Sequence, residues 1–265
     1  MKQLTAQSLR SWGQRIARLE RYCQVRFRNK FAGVTALLER FIPANAVIFD
    51  IGANHGEFAK QFAQLHGGSC KVFCFEPLEY SFTLLRTVMK SFANVKIFPV
   101  ALSTEQGSRE LFVPVKIKSH RIGPSYAHLG SAGCEGHFTY ADDSNREIAS
   151  VIIVTDTLDN IVEREKLTRL DFIKIDVEGA ESLVFKGGRE SIARHKPVIL
   201  CEIDPRFPPR LGLTAQDSAQ PLLELGYRMF VYFKDSGEMK SPDEKNRSEL
   251  NDYIFIHPDN PLCPK

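Results

Sequence analysis

Val47-Ile48-Phe49-Asp50-Ile51-Gly52-Ala53-Asn54-His55-Gly56 is the stretch on which the reading of this chain turns. A short apolar strand pattern holding one acid runs straight into a loop bounded by glycines, and Glu57–Leu65 then reads as a helix. Glycine at 52 and 56 lets the backbone turn tightly and come close to a ligand. A strand, a glycine turn and a helix form the opening unit of a doubly wound α/β sheet, in which ligands bind beyond the carboxyl ends of the strands.

Working outward, strand patterns at Lys71–Phe75, Val95–Val100, Phe172–Asp176 and Val198–Ile203 alternate with helical patterns at Tyr80–Phe92 and Ser182–Ala193, the latter interrupted by Gly187-Gly188. This order predicts an α/β fold with a mainly parallel, doubly wound sheet. Two terminal strand patterns, Tyr227–Phe233 and Asp252–Ile256, are separated by a polar turn and predict an antiparallel C-terminal edge. Residues 107–150 break the alternation. They hold one strand pattern, Glu110–Val115, and then a stretch dense in Gly, Ser, His and Asp, which marks a substrate-side insertion. Val151–Val154 and Asp156–Arg164 restore a strand and a helix, and the main domain is expected to span 46–265.

The net charge of +3 does not by itself point to nucleic acid, but it is unevenly placed. Residues 1–30 hold eight Lys/Arg (Lys2, Arg10, Arg15, Arg18, Arg21, Arg26, Arg28, Lys30) against Glu20 alone. Apolar residues at helical spacing (Leu9, Trp12, Ile16, Leu19, Tyr22, then Val34, Leu37, Leu38, Phe41) predict a basic helical extension over 1–45. Packing on the main domain is its plainer reading; contact with an anionic membrane surface or a protein partner is the alternative. Absence of a long apolar run and of a signal-like start leads to the expectation of a soluble, cytoplasmic protein. The six cysteines lack the paired spacings of a zinc site or a disulfide framework, and Cys70 and Cys74 are expected to share a core face.

A nicotinamide or flavin site would want G-x-G-x-x-G with a helix amino end facing pyrophosphate. Here the spacing is G-x-x-x-G, and Asp50 precedes it; a carboxylate repels pyrophosphate and suits an ammonium group. The next strand ends Phe75-Glu76-Pro77, placing Glu76 twenty residues past Gly56, where an acid can accept hydrogen bonds from both hydroxyls of a ribose. Asp50, Gly52, Gly56 and Glu76 together suit S-adenosyl-L-methionine, and a bulky side chain at Gly52 is expected to block its binding. A nicotinamide-dependent oxidoreductase and a non-catalytic binding protein of the same fold are the rival readings.

The core resembles the FkbM family of S-adenosylmethionine-dependent methyltransferases over about residues 46–204. The resemblance runs from Val47 to Gly56 through Phe75-Glu76-Pro77, Val100-Ala101-Leu102-Ser103 and Thr157-Leu158-Asp159. It continues with Asp171-Phe172-Ile173-Lys174-Ile175-Asp176-Val177-Glu178-Gly179-Ala180-Glu181 and Pro197-Val198-Ile199-Leu200-Cys201-Glu202. It implies a Rossmann-like class I fold, agrees with Asn54 in the loop, and adds Asn54 and Ala101 to the expected cofactor-binding residues. It also implies O-methylation of hydroxyls on secondary metabolites or glycans, so a small-molecule or glycan acceptor and no nucleic acid are expected.

Asp176 falls at the end of its strand pattern, on the same sheet edge as Asp50 and Glu76, where it can bond the cofactor amino group or hold the acceptor. Lys174 should point away from Ile173 and Ile175 and pair with an acid or snorkel, in preference to acting as a catalytic amine. Glu178 and Glu181 suit a helix amino end electrostatically. His128 and His137 lie in the insertion and are candidates for a general base, if the acceptor hydroxyl needs one. No compact ligand spacing calls for a metal.

Overall fold

The computed structural model describes residues 12–27, 32–116, 128–129, 146–203, 215–233, 236–242 and 252–264. In chain order these form α1 (Trp12–Phe27), α2 (Ala32–Leu38), β1 (Val47–Ile51), α3 (Glu57–Gln64), β2 (Lys71–Phe75), α4 (Glu79–Met89), β3 (Val95–Phe98), β4 (Ala101–Leu102), β5 (Gly107–Lys116), β6 (His128–Leu129) and β7 (Arg146–Asp156). There follow α5 (Leu158–Arg164), β8 (Phe172–Ile175), α6 (Glu181–Gly187), α7 (Arg189–His195), β9 (Val198–Glu202), α8 (Ala215–Glu224), β10 (Arg228–Tyr232), β11 (Met239–Lys240) and β12 (Asp252–Ile256).

All five residues of β1 and all four of β8 are buried, the mark of strands covered on both faces. β1 pairs in parallel with β2 and with β8, Ile51 lying opposite Phe75 on one side and Ile175 on the other. The main sheet runs β3-β2-β1-β8-β9-β12-β10-β11. Strand order therefore reverses between β1 and β8, and the crevice at their carboxyl ends is the switch point of a Rossmann-like sheet. The antiparallel finish is present: β12 runs against both β9 and β10, lying between them, and β11 runs against β10.

Alternate side chains of the strands feed two cores. Ile48, Val72, Cys74, Phe172 and Leu200 pack with Phe58, Phe62, Leu84 and Leu85 on one face. Phe49, Ile51, Phe75, Ile173 and Ile175 pack with Leu158, Ile161, Val184 and Phe185 on the other. Cys70 and Cys74 are buried free thiols of the first core, as their spacing predicts. From the basic extension, Val25, Leu38 and Phe41 join that same core. Lys60 Nζ donates to the carbonyls of Val25 (3.2 Å) and Arg26 (2.8 Å) near the C-terminal end of α1. No described helix is long and apolar enough to cross a membrane.

The region between β3 and β8 departs from the expected alternation. The single strand expected over Val95–Val100 stops at Phe98, because Pro99 has no N–H to continue the ladder. β4 restarts after it and belongs to a second sheet, of order β4-β7-β5-β6. β5 and β7 pair antiparallel over ten residues each, from Gly107 opposite Thr155 to Lys116 opposite Arg146. Val151–Val154 is thus part of this second sheet and not of the main one. Its Leu111, Val113 and Ile153 pack on Leu78 and Ala180, which follow β2 and β8. The described strands β5 and β7 therefore stand beside the carboxyl edge of the main sheet. The helix expected over Ser182–Ala193 divides into α6 and α7 at Gly187-Gly188, where a side chain on Gly187 would meet the Ser103 carbonyl oxygen at 1.9 Å.

Candidate active site

The loop after β1 is held left-handed at Gly52 (φ 75°), Asn54 (φ 48°) and Gly56 (φ 87°). Four of its amides are bonded within the protein. Gly52 N and Ala53 N donate to the Phe75 carbonyl at 3.1 and 3.0 Å, Asn54 N donates to Glu76 Oε2 at 2.9 Å, and Gly56 N donates to the Ala53 carbonyl at 2.8 Å. A pyrophosphate would find these donors already engaged and a carboxylate among them, which argues from geometry against a dinucleotide. The glycines also have packing reasons. A Cβ on Gly52 would lie 1.9 Å from the Asp176 carbonyl oxygen, and one on Gly56 would lie 2.7 Å from Leu85 Cδ1 and 3.0 Å from Met89 Cε. Gly52 is thus required by the close approach of the segment that follows β8, in addition to the close approach to a ligand expected from sequence.

Glu76 is 7% exposed, and its Oε1 accepts from Leu78 N at 2.9 Å while Oε2 accepts from Asn54 N. Burial pushes its carboxyl up to about 7 against the pull of those two N–H donors. Each oxygen retains a lone pair, so the group can still accept from hydroxyl donors, as the vicinal hydroxyls of a ribose would require.

Across the crevice, Lys174 joins two acids. Its Nζ lies 3.2 Å from Asp176 Oδ2 and 3.7 Å from Asp50 Oδ1, and 5.3 Å from the centre of the Phe58 ring. Burial lowers its ammonium, but Asp176 and Asp50 more than offset this and hold it above its usual value. Burial pushes Asp50 up to about 6, against Lys174. Asp50 is wholly enclosed while the Asp176 side chain is 36% exposed, so Asp176 is the member of this trio that opens outward. The expected acid partnership of Lys174 is present on both sides.

The backbone brings Asp50, Gly52, Asn54, Gly56, Glu76 and Asp176 to one edge of the sheet. Asn54 Oδ1 also accepts from Ser81 Oγ at 3.4 Å, which ties the loop to α4. Ala101, in β4 beyond the carboxyl end of β3, packs against the cluster containing Leu78. His128 pairs through its backbone with Phe112, but its side chain lies outside the described residues, and His137 lies outside them altogether.

Two features escaped the sequence reading. Glu181 stands in the first turn of α6, as its pattern suggests, but it is 1% exposed, its Oε1 accepts from Gly179 N at 2.8 Å, and burial raises it to about 7. Its place in the Asp176–Glu181 run was the available signal. His55, given no role from sequence, is buried; Arg21 Nε donates to its Nδ1 at 3.0 Å, and burial, with Arg21 beside it, lowers its imidazole to about 3. Among the described residues no group of three or more His, Cys, Asp or Glu is arranged to hold a metal ion.

The family model for the methyltransferase FkbM domain matches residues 50–229. The chain is 30% identical over 165 residues to the 2-O-methyltransferase NoeI of Sinorhizobium fredii (strain NBRC 101917 / NGR234), a match covering 61% of this chain and 63% of that protein. It thus spans less than two thirds of that relative's length. Among solved structures it is similar to the methyltransferase FkbM from Methylobacillus flagellatus KT, at 14% identity and a TM-score of 0.49, over 94% of this chain and 62% of that one. It is similar also to the TehB-like SAM-dependent methyltransferase from Corynebacterium glutamicum ATCC 13032 Kitasato, at 11% identity and a TM-score of 0.46, over 92% and 96% of the two chains. Carried by the family match over residues 50–229 and by the glycine loop and strand-end acids within it, the chain belongs to the FkbM methyltransferase family, whose cofactor is S-adenosyl-L-methionine.

Proposed function

We propose that the chain transfers the methyl group of S-adenosyl-L-methionine to a hydroxyl oxygen of a sugar or other polyhydroxylated small molecule. The observation that carries the cofactor side is the gathering of Glu76 and Asp176 around a glycine loop whose Gly52, Ala53, Asn54 and Gly56 amides are already bonded within the protein. This acidic edge suits a cationic, hydroxyl-bearing ligand and disfavours a phosphate. The bound cofactor supplies a methyl group activated by its positively charged sulfur. Glu76 accepts from the ribose hydroxyls, and Asp176, held by Lys174, faces the ammonium group or the acceptor. Asp50 supports this arrangement from beneath, through Lys174.

The acceptor side rests on the similarity to a 2-O-methyltransferase and on the placement of the second sheet beside the switch point. Residues 107–150 are proposed to contribute acceptor contacts. Alignment of a hydroxyl with the methyl group lowers the barrier without a strong base, and Asp176, His128 or His137 takes the proton where the hydroxyl is poorly acidic.

The test is incubation with methyl-labelled cofactor and a panel of glycans and glycosides, with the product sites located by mass spectrometry. An O-methyl product is expected. Methyl found only on nitrogen, carbon or a nucleobase overturns the acceptor assignment, and calorimetric binding of NAD without binding of S-adenosylhomocysteine overturns the cofactor assignment.

A further inference from the structure

Helix α1 has two unlike sides. The inward side is anchored: Val25 is 2% exposed, Tyr22 packs against the first core, Arg21 Nε bonds His55 Nδ1 at 3.0 Å and its Nη2 lies 3.6 Å from Glu57 Oε1. Lys60 then holds the carbonyls of Val25 and Arg26. The outward side carries Leu19, 63% exposed, Cys23, also exposed, and Phe27, 75% exposed, each one helical turn from the last. By the same 3.6-residue period Arg26 lies along one margin of this line and Glu20 along the other. Burying Leu19 or Phe27 against the body would require turning α1 on its axis and breaking the Arg21 and Lys60 contacts.

We propose that α1 docks this stripe on an anionic lipid surface, lying in the plane of the interface and not crossing it. The length and composition of the helix exclude a membrane span among the described residues, whereas a surface-lying helix needs an apolar stripe and cationic flanks. The charge pattern selects the occupant. Residues 1–30 hold eight Lys/Arg and one acid, a density that meets anionic headgroups favourably. A second copy of the chain would instead bring two such basic segments together, and their repulsion disfavours that use of the stripe. Because the inward side of α1 grips His55 and α3, docking would set the cofactor loop at a fixed distance from the lipid headgroups.

The test is co-sedimentation of the full chain with vesicles of phosphatidylcholine alone and of phosphatidylcholine with phosphatidylglycerol, at low and high salt, beside the double variant L19S/F27S. Circular dichroism melting checks that the variant is folded, and light scattering gives the mass of both proteins without lipid. Binding to the anionic vesicles at least tenfold stronger than to neutral ones, weakened by salt and lost in folded L19S/F27S, is expected. Absence of vesicle binding by the wild type, equal binding by folded L19S/F27S, or a dimer that L19S/F27S dissociates would each overturn the proposal. Should L19S/F27S fail to fold, the single variant Phe27→Ser, at the end of the helix, is expected to weaken anionic-vesicle binding severalfold, and unchanged binding by it counts against the proposal.

Discussion

Glu76 concentrates the chemistry of the candidate site in one carboxylate. It fixes the loop by accepting from Asn54 and Leu78 and still has lone pairs for a ligand. Glu76→Ala is therefore predicted to weaken S-adenosylhomocysteine binding by about 1 to 3 kcal/mol, measured by titration calorimetry. Unchanged affinity in a folded variant would remove Glu76 from the site. With its carboxyl raised to about 7, binding by the wild type is expected to strengthen as pH rises through that value, since the ionised form is the better acceptor. The residue was legible from sequence because it closes a strand at the right distance from the loop. Glu181 was not, because a pattern of acids before a helix looks the same whether the side chain meets water or, as here, is 1% exposed.

At the scale of elements, the β1 loop and the segment after β8 are mutually dependent. Gly52→Val would place a branched side chain against the Asp176 backbone at a position held at φ 75°. Close contact and left-handed strain together should cost about 3 kcal/mol or more, read as a drop in Tm of at least ~6 °C together with loss of cofactor binding. A variant of normal Tm would show that the two segments yield easily. The strands of the main sheet were legible because each is a local apolar run bounded by turns, except β11, whose two residues Met239 and Lys240 fall in what reads from sequence as a polar turn. The second sheet was not: β5 and β7 each look like strands, but their partnership across some thirty intervening residues leaves no local trace, and Pro99 by itself does not show that β4 leaves the main sheet. The helix-period pattern likewise gave α1 without saying that its apolar residues divide between two sides.

Over the whole molecule, burial lifts Asp50 to about 6 and Glu76 and Glu181 to about 7, so the folded chain holds protons that the unfolded chain has already released. Stability from these groups is present at low pH and falls as pH rises through the interval from about 4 to 7. His55, lowered to about 3, acts the other way below the ordinary histidine value of about 6.5 and no longer opposes them above it. Unfolding monitored between pH 6 and 8 should therefore show a lower Tm at pH 8, by roughly 3 to 8 °C, with much of the fall absent in Glu181→Gln. A Tm that rises over this range would contradict the buried, protonated state of these acids. A different consequence follows from β12, which lies between β9 and β10 although it follows both in the chain. While the polypeptide is being made, β9 and β10 emerge first and must leave a strand-wide gap for a segment that the ribosome has not yet released. Completion of the sheet is thus timed by the arrival of the last strand, and a nascent chain halted before Asp252 would present two open strand edges to chaperones or to other chains.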